Sequence, residues 1–350
     1  MDMREIFENI SPVLIEPKKT SLTISLSSRF FFFQLMRKLS EALQEDPYLN
    51  FIALLKQYKV LGRFLDGTLA EFYRDRNSLY FKRFFYDERL YEIVKKDLEE
   101  FYPKYSGLKM TITKRGLIIY DNYKKNSFNV LVLTVHSGTW VPKNIEKKLA
   151  LTEEERRNEE DIATNLIYSK IVLDQAGIWI DNKQSRFVVD LNRKHEHAIY
   201  QNHLQKRFRE IWKELLSAEE IEENYVSYRE FYFTLSKLVD AYNFNVIFDG
   251  HSMRDRPGRP NISFGTQHIP SFYMPIVRNM KKKMMTLGYS PVAMNKPYSG
   301  GHILKWLNAL FPNVFICSME INKKLYLSGT RVNKKQCEKL SQDLKEIFKI

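Results

Sequence analysis

Asn129-Val-Leu-Val-Leu-Thr-Val135 runs directly into His136-Ser-Gly138. An apolar run of strand length, stopped by a turn-forming pair, reads as a strand buried on both faces. Asn245-Val-Ile-Phe248 repeats the arrangement and leads into Asp249-Gly-His-Ser252. Arg186-Phe-Val-Val-Asp-Leu191 predicts a further strand ending at Asn192-Arg193, and Tyr289 to Met294 and Val314 to Ile321 predict two more. Stretches of helix-forming composition accompany them: Glu153 to Ala176, Ile199 to Leu216, Ala218 to Tyr242 and a closing Val332 to Phe348. Strands alternating with helices predict an α/β fold whose sheet is covered on both faces. Sheets of this class bind ligands outside the carboxyl ends of their strands, where His136, Arg193 and His251 fall.

Residues 1 to about 125 are rich in aromatic and basic side chains, with helices predicted from Phe30 to Lys56, Val60 to Arg74 and Leu90 to Phe101. This segment contains no histidine. All seven, His136, His195, His197, His203, His251, His268 and His302, lie downstream. The Lys124-Lys-Asn-Ser127 break therefore divides the chain into a mainly helical N-terminal segment, residues 1–125, and a domain over residues 126–350 that carries the chemistry. The sequence assigns the first no role of its own; a lid or docking region belongs to the alternative in which the substrate is macromolecular.

With 350 residues, 44% hydrophobic and 28% charged, the composition is that of a folded globular protein and excludes disordered, collagen-like and disulfide-stapled chains. No stretch approaches the roughly 18 apolar residues of a membrane helix. Asp2, Glu5 and Glu8 stand where a secretory signal would be basic and then apolar, which predicts a cytoplasmic protein without a membrane partner. Cys317 and Cys337 are the only cysteines, so a metal site has to be built from histidine and carboxylate. The formal charge of +13 favours anionic partners but does not choose their class. The basic residues are scattered, no nucleic-acid-binding signature is present, and nothing fixes the oligomeric state.

His136 and His251 both follow short apolar strands and both precede serine, so neighbouring strands can bring them onto one divalent ion. Imidazole suits zinc, and a catalytic zinc takes three protein ligands, commonly including a carboxylate, plus water. Glu320 lies in an apolar strand, where an acid is costly to bury without a partner. Asp249 is placed to orient His251 or to cap a turn.

Five motifs in order, His136-Ser-Gly138, Asp190-Leu-Asn-Arg193, Asp249-Gly-His-Ser-Met253, Pro297-Tyr-Ser-Gly-Gly301 and Met319-Glu-Ile-Asn322, resemble the N-formylglutamate amidohydrolase family over about residues 128 to 330. The resemblance implies a mixed central sheet with helices on both faces, the carboxypeptidase-like or phosphorylase/hydrolase-like fold, and a zinc-dependent amide hydrolase. One Zn2+ per chain is expected, or another divalent transition metal, held by His136, His251 and an acidic residue before a helix. That residue is Asp161, or alternatively Glu160. By the same resemblance Glu320 is the general base and Arg193, with Asn192, captures the substrate carboxylate; the alternative for Arg193 is an ion pair with Asp190 or another acid. Asn295, Tyr298, Ser299, Gly300 and Gly301 form a loop suited to a small polar substrate, and His302 beside it is a further pocket candidate.

The departures bear on substrate. Thr139 stands where the wider superfamily takes a carboxylate ligand, Thr266 where the family often has aspartate, and Lys305 where it has a second arginine. Arg254, Arg256 and Arg259 form a basic cluster directly after the second histidine motif, fitting a larger or more acidic substrate or simply a solvated loop. The leading expectation is hydrolysis of the N-acyl (N-formyl-type) amide of an acidic amino acid or related carboxylated small molecule. The alternatives are a zinc peptidase or deacylase acting on a larger substrate, and a non-catalytic protein that holds an anionic partner.

Overall fold

The computed structural model describes residues 15–18, 21–24, 87–101, 109–113, 115–200 and 210–348. The helices expected from Phe30 to Lys56 and Val60 to Arg74, and His203, lie outside these residues. The chain divides into two units, Met1–Phe81 with Arg229–Tyr242, and Lys82–Tyr228 with Asn243–Ile350. In the first, β1 (Ile15–Lys18) and β2 (Ser21–Ile24) pair as an antiparallel hairpin.

The second unit begins with α1 (Glu88–Phe101) and is built on strands β3 (Lys109–Ile112), β4 (Leu117–Asn122), β5 (Val130–Thr134), β6 (Gly177–Asn182), β7 (Val246–Met253), β8 (Ile262–Gly265), β9 (Val292–Met294) and β10 (Phe315–Asn322). They form one mixed eight-stranded sheet in the order β3-β4-β6-β5-β7-β10-β8-β9. The middle four, β6, β5, β7 and β10, are parallel, and antiparallel β4 and β8 flank them. Every residue of β5, β6 and β7 is buried, as their apolar runs require for strands covered on both sides. The predicted α/β fold with a mixed central sheet is therefore the observed one. Two of its strands, β3 and β4, come from residues upstream of 125.

Helices connect the strands: α2 (Lys143–Glu146), α3 (Glu153–Glu159), α4 (Thr164–Tyr168) and α5 (Lys170–Leu173) lie between β5 and β6, and α6 (Ala218–Ala241), whose residues from Arg229 onward belong to the first unit, precedes β7 in the chain. After β8 come α7 (Met274–Thr286), α8 (His302–Leu310) and the closing α9 (Lys334–Ile347). No helix among the described residues is long and apolar enough to cross a membrane.

Three sequence expectations change. Arg186–Leu191 is a turn, not a strand: the Val188 amide closes on the Ser185 carbonyl at 3.0 Å, and Phe187, Val188 and Val189 are buried without a ladder. The strand in this region is β6, just before it. Glu153 to Ala176 is broken rather than continuous. A capping box between Thr152 and Glu155 starts α3, but the chain leaves helical geometry at Glu160 (ψ 148°) and passes through a left-handed Ala163 (φ 64°) before α4. Residues 210–216 are irregular, with only an isolated bridge between Trp212 and Leu149, so the helix expected from Ile199 to Leu216 is not found there.

Candidate active site

The carboxyl ends of the parallel strands converge on one cavity of about 310 Å³, the size of a small-molecule site. β5 ends two residues before His136. β7 runs past its predicted end and carries Asp249 and His251 on one side of the strand, because residues i and i+2 share a face. β10 places Glu320 directly beside His251 in the parallel register. Tyr168 on α4 locks this pair of strands, its hydroxyl donating to the carbonyls of His251 (3.0 Å) and Met319 (3.3 Å). Its ring lies over Gly250, where a Cβ would sit 2.6 Å from the ring, so only glycine fits between Asp249 and His251.

Asp161 comes from the break between α3 and α4. Its amide donates to the His136 carbonyl at 2.9 Å, and the carboxylate thus lies between the two imidazoles. Oδ2 is 3.0 Å from His251 Nδ1 and 3.6 Å from His136 Nδ1, while Oδ1 accepts from Ser252 Oγ at 3.2 Å. All three side chains are buried. Burial opposes ionisation of Asp161, but His136 and His251 beside it outweigh that and hold the carboxyl far below the usual range. Glu160 is directed elsewhere: its Oε1 accepts from Arg156 at 2.9 Å and from Ser185 at 2.5 Å.

Each imidazole has a carboxylate behind it. His136 Nε2 donates to Asp190 Oδ1 at 2.7 Å, and Asp190 is itself held by Arg186 at 2.6 Å and by the Tyr200 hydroxyl. His251 Nε2 lies 2.9 Å from Asp249 Oδ2 and 3.1 Å from Asn192 Nδ2. Burial works against a charged His251, yet Asp249 and Asp161 raise it well above the ordinary histidine range. The turn over residues 186–193, misread as a strand, delivers Arg186, Asp190, Asn192 and Arg193 to the site from one short segment.

One ligand atom from each of His136, Asp161 and His251 lies within 4.8 Å of the others. His136 Nδ1 is buried and without a hydrogen-bond partner, a costly condition that a cation shared with Asp161 would relieve. Two nitrogens and a carboxylate oxygen are donors of the kind divalent transition metals take. The residues present therefore fit a metal ion.

Glu320 faces the cluster with Oε2 buried and unpaired. Burial pushes its pKa up to about 8, opposed by His251 and reinforced by Asp161 and Asp249. Arg193 lies over the Tyr200 ring, 5.0 Å from its centroid, with Nε 3.4 Å from Asp190. Asn192, Arg193, Tyr298, Gly300 and Gly301 all line the cavity. Gly301 is required by close approach: a Cβ there would lie 2.2 Å from the Asn192 carboxamide, which accepts the Ile303 amide at 3.0 Å. Asn295 and Ser299, expected as substrate contacts, are not among the lining residues. Asn295 accepts from the Thr266 amide at 2.8 Å and Ser299 donates to Gln267 at 2.5 Å, so both side chains hold the loop itself. The residues missed from sequence are Arg186 and Lys323, for which no local motif signals a place at the cavity.

The N-formylglutamate amidohydrolase family profile matches residues 128–327. The chain belongs to that family. N-formylglutamate amidohydrolase from Ralstonia eutropha JMP134 is similar in structure, with a TM-score of 0.55 and 19% identity over 66% of this chain and 95% of that one. A gene product of Agrobacterium tumefaciens matches with a TM-score of 0.53 and 17% identity, covering 66% and 92% of the two chains. A metallo-carboxypeptidase from Burkholderia cenocepacia is more distant, with a TM-score of 0.39 and 9% identity over 75% and 69%. Among curated proteins none matches the chain in sequence. As a member of the N-formylglutamate amidohydrolase family the chain is a hydrolase acting on an amide bond of a small-molecule substrate.

Proposed function

We propose that the chain is a zinc-dependent amidohydrolase that cleaves the N-acyl, N-formyl-type amide of an acidic amino acid or a related carboxylated small molecule. The observation that carries this reading is the convergence of His136, Asp161 and His251 beside an unpaired carboxyl, Glu320, in one cavity. A zinc ion bound there lowers the pKa of water and polarises a carbonyl oxygen.

The chain's own residues do the rest. Asp190 fixes the ring orientation of His136 through Nε2, leaving Nδ1 free to ligate, while His251 turns Nδ1 to Asp161 and has Asn192 and the Asp249 carboxylate beside Nε2. Glu320, with a pKa near 8, is suited to accept and return a proton close to neutral pH. It takes the proton of the attacking water and delivers it to the leaving nitrogen, so that the amine departs neutral and the acyl group leaves as a carboxylic acid. Arg193, half-exposed at the cavity wall, holds the substrate carboxylate with its planar fork, and Asn192 assists. Arg186, fixed by Asp190 and Tyr200, adds positive charge where the tetrahedral oxyanion develops.

Release of free amine from N-formyl and N-acetyl amino acids by wild-type protein and Glu320→Gln tests this reading. Turnover of acidic N-acyl amino acids by wild type alone is expected. Inactivity of wild type on the whole panel, or full activity of the variant, would contradict it.

A longer substrate is favoured by one feature. Arg254, half-exposed, lines the cavity 3.6 Å from Glu159, and Arg259 lies over the Tyr298 ring, 5.5 Å from its centroid, so basic side chains continue outward from the site. Faster cleavage of acylated acidic peptides than of single amino acids would support that version.

A further inference from the structure

The segment that delivers Asp161 has little regular structure of its own. α3 ends at Glu159, Glu160 is extended, Ala163 is left-handed, and α4 starts only at Thr164. A helix end leaves its last carbonyl oxygens without intrahelical partners, and a lysine ammonium can satisfy them. Here that lysine comes from far along the chain. Lys323, immediately after β10, is only 6% exposed, and its Nζ donates to the carbonyls of Arg157 (3.3 Å), Asn158 (2.8 Å) and Glu160 (2.5 Å). The ammonium's three hydrogens are matched by three acceptors, so it has none left for a substrate.

Resting on the metal reading above, we propose that Lys323 is a positioning residue for the cation site: it ties the end of the strand that bears Glu320 to the segment that bears Asp161, and so sets the distance from the Asp161 carboxylate to His136 and His251. The carbonyl of Glu160 is one bond from the Asp161 amide, which in turn donates to the His136 carbonyl at 2.9 Å. Displacing the Glu160 carbonyl therefore moves Asp161 relative to His136. Ser252 holds only Oδ1 of Asp161, at 3.2 Å, and the α3 cap acts at the far end of that helix. Burial pulls the Lys323 ammonium below the usual lysine range, opposed by the carboxylates of Asp161 and Glu159, and its cost is met by hydrogen bonds that hold backbone rather than substrate.

The test is the affinity of the full, chelator-stripped chain for Zn2+, measured by competition with a chromophoric chelator in the absence of substrate. Lys323→Met, of similar length but without donors, should bind Zn2+ about 10- to 100-fold more weakly, the usual loss when a residue supporting a ligand is removed. Lys323→Arg, which keeps donors for the carbonyls, should recover most of that loss. In an Asp161→Ala background Lys323→Met should change affinity by less than about threefold, because the effect acts through Asp161. A purely structural lysine would weaken binding equally in both backgrounds, and that result overturns the assignment, as does unchanged affinity in Lys323→Met. If Lys323→Met does not fold, Lys323→Gln, with one amide donor group, carries the same comparison. Failure of the wild-type chain to bind Zn2+ would instead overturn the metal reading, and this inference with it.

Discussion

His136 turns Nε2 to Asp190 Oδ1 at 2.7 Å and leaves Nδ1 buried, unpaired and 3.6 Å from Asp161. One carboxylate thus fixes the ring while the other shares its open face. The arrangement makes Asp190 a support of the site although it is not one of the converging ligand atoms. Asp190→Asn should keep the hydrogen bond's geometry but weaken the imidazole as a donor, lowering Zn2+ affinity about 10- to 100-fold. Chelator competition on the purified variant measures it.

Glu320→Gln preserves shape while removing the carboxylate that the proposal makes the proton acceptor. Zn2+ binding should persist at about one ion per chain, and kcat/KM should fall about 100- to 10,000-fold, the range ascribed to general acid–base catalysis. Parallel metal analysis and amine-release assays separate the two effects.

Arg193→Lys keeps the charge and loses the fork. A single bond in place of a bidentate pair should raise KM about tenfold or more for a carboxylated substrate, with Zn2+ affinity unaltered. Initial-rate kinetics on the preferred N-acyl amino acid provide the check.

Tyr289 reports on the docking of α9. Its hydroxyl donates to Asp343 Oδ2 at 2.5 Å, and burial, followed by that hydrogen bond, pushes its pKa up to about 12. A phenol whose folded pKa lies above the ordinary value near 10 favours folding while it is neutral. Its contribution is complete below about pH 10 and is lost as pH rises through about 12. Urea denaturation of wild type between these pH values should show a decline that Tyr289→Phe shows less steeply.

What the sequence made legible follows from range. His136 follows an apolar strand and His251 and Glu320 lie within the strands that position them, so the reading of those strands carries all three residues with it. Asp161 is carried by an irregular break, and only resemblance pointed to it, with Glu160 left open. The pairing of Glu160 with Arg156 and Ser185 distinguishes the two residues, and contact with Ser185 lies beyond any local pattern. Phe187, Val188 and Val189 are buried, but an apolar run records burial rather than extended geometry, so a buried turn carries the same pattern as a strand. β6 has no clear strand pattern because Gly177 and the buried polar pair Asp181-Asn182 leave it only three apolar residues. Asp190 was visible as a partner for Arg193, but its stronger tie to His136 spans 54 residues. The tie from Lys323 to Glu160 spans 163.

The most direct measurement of the central claim is amine release from N-formylglutamate by chelator-stripped protein as Zn2+ is added stepwise. Activity should be absent at the start, rise in proportion to added ion and level off at about one equivalent per chain in wild type, with no such break in His251→Ala. Undiminished activity in the stripped wild-type protein, or an identical titration in His251→Ala, would contradict it.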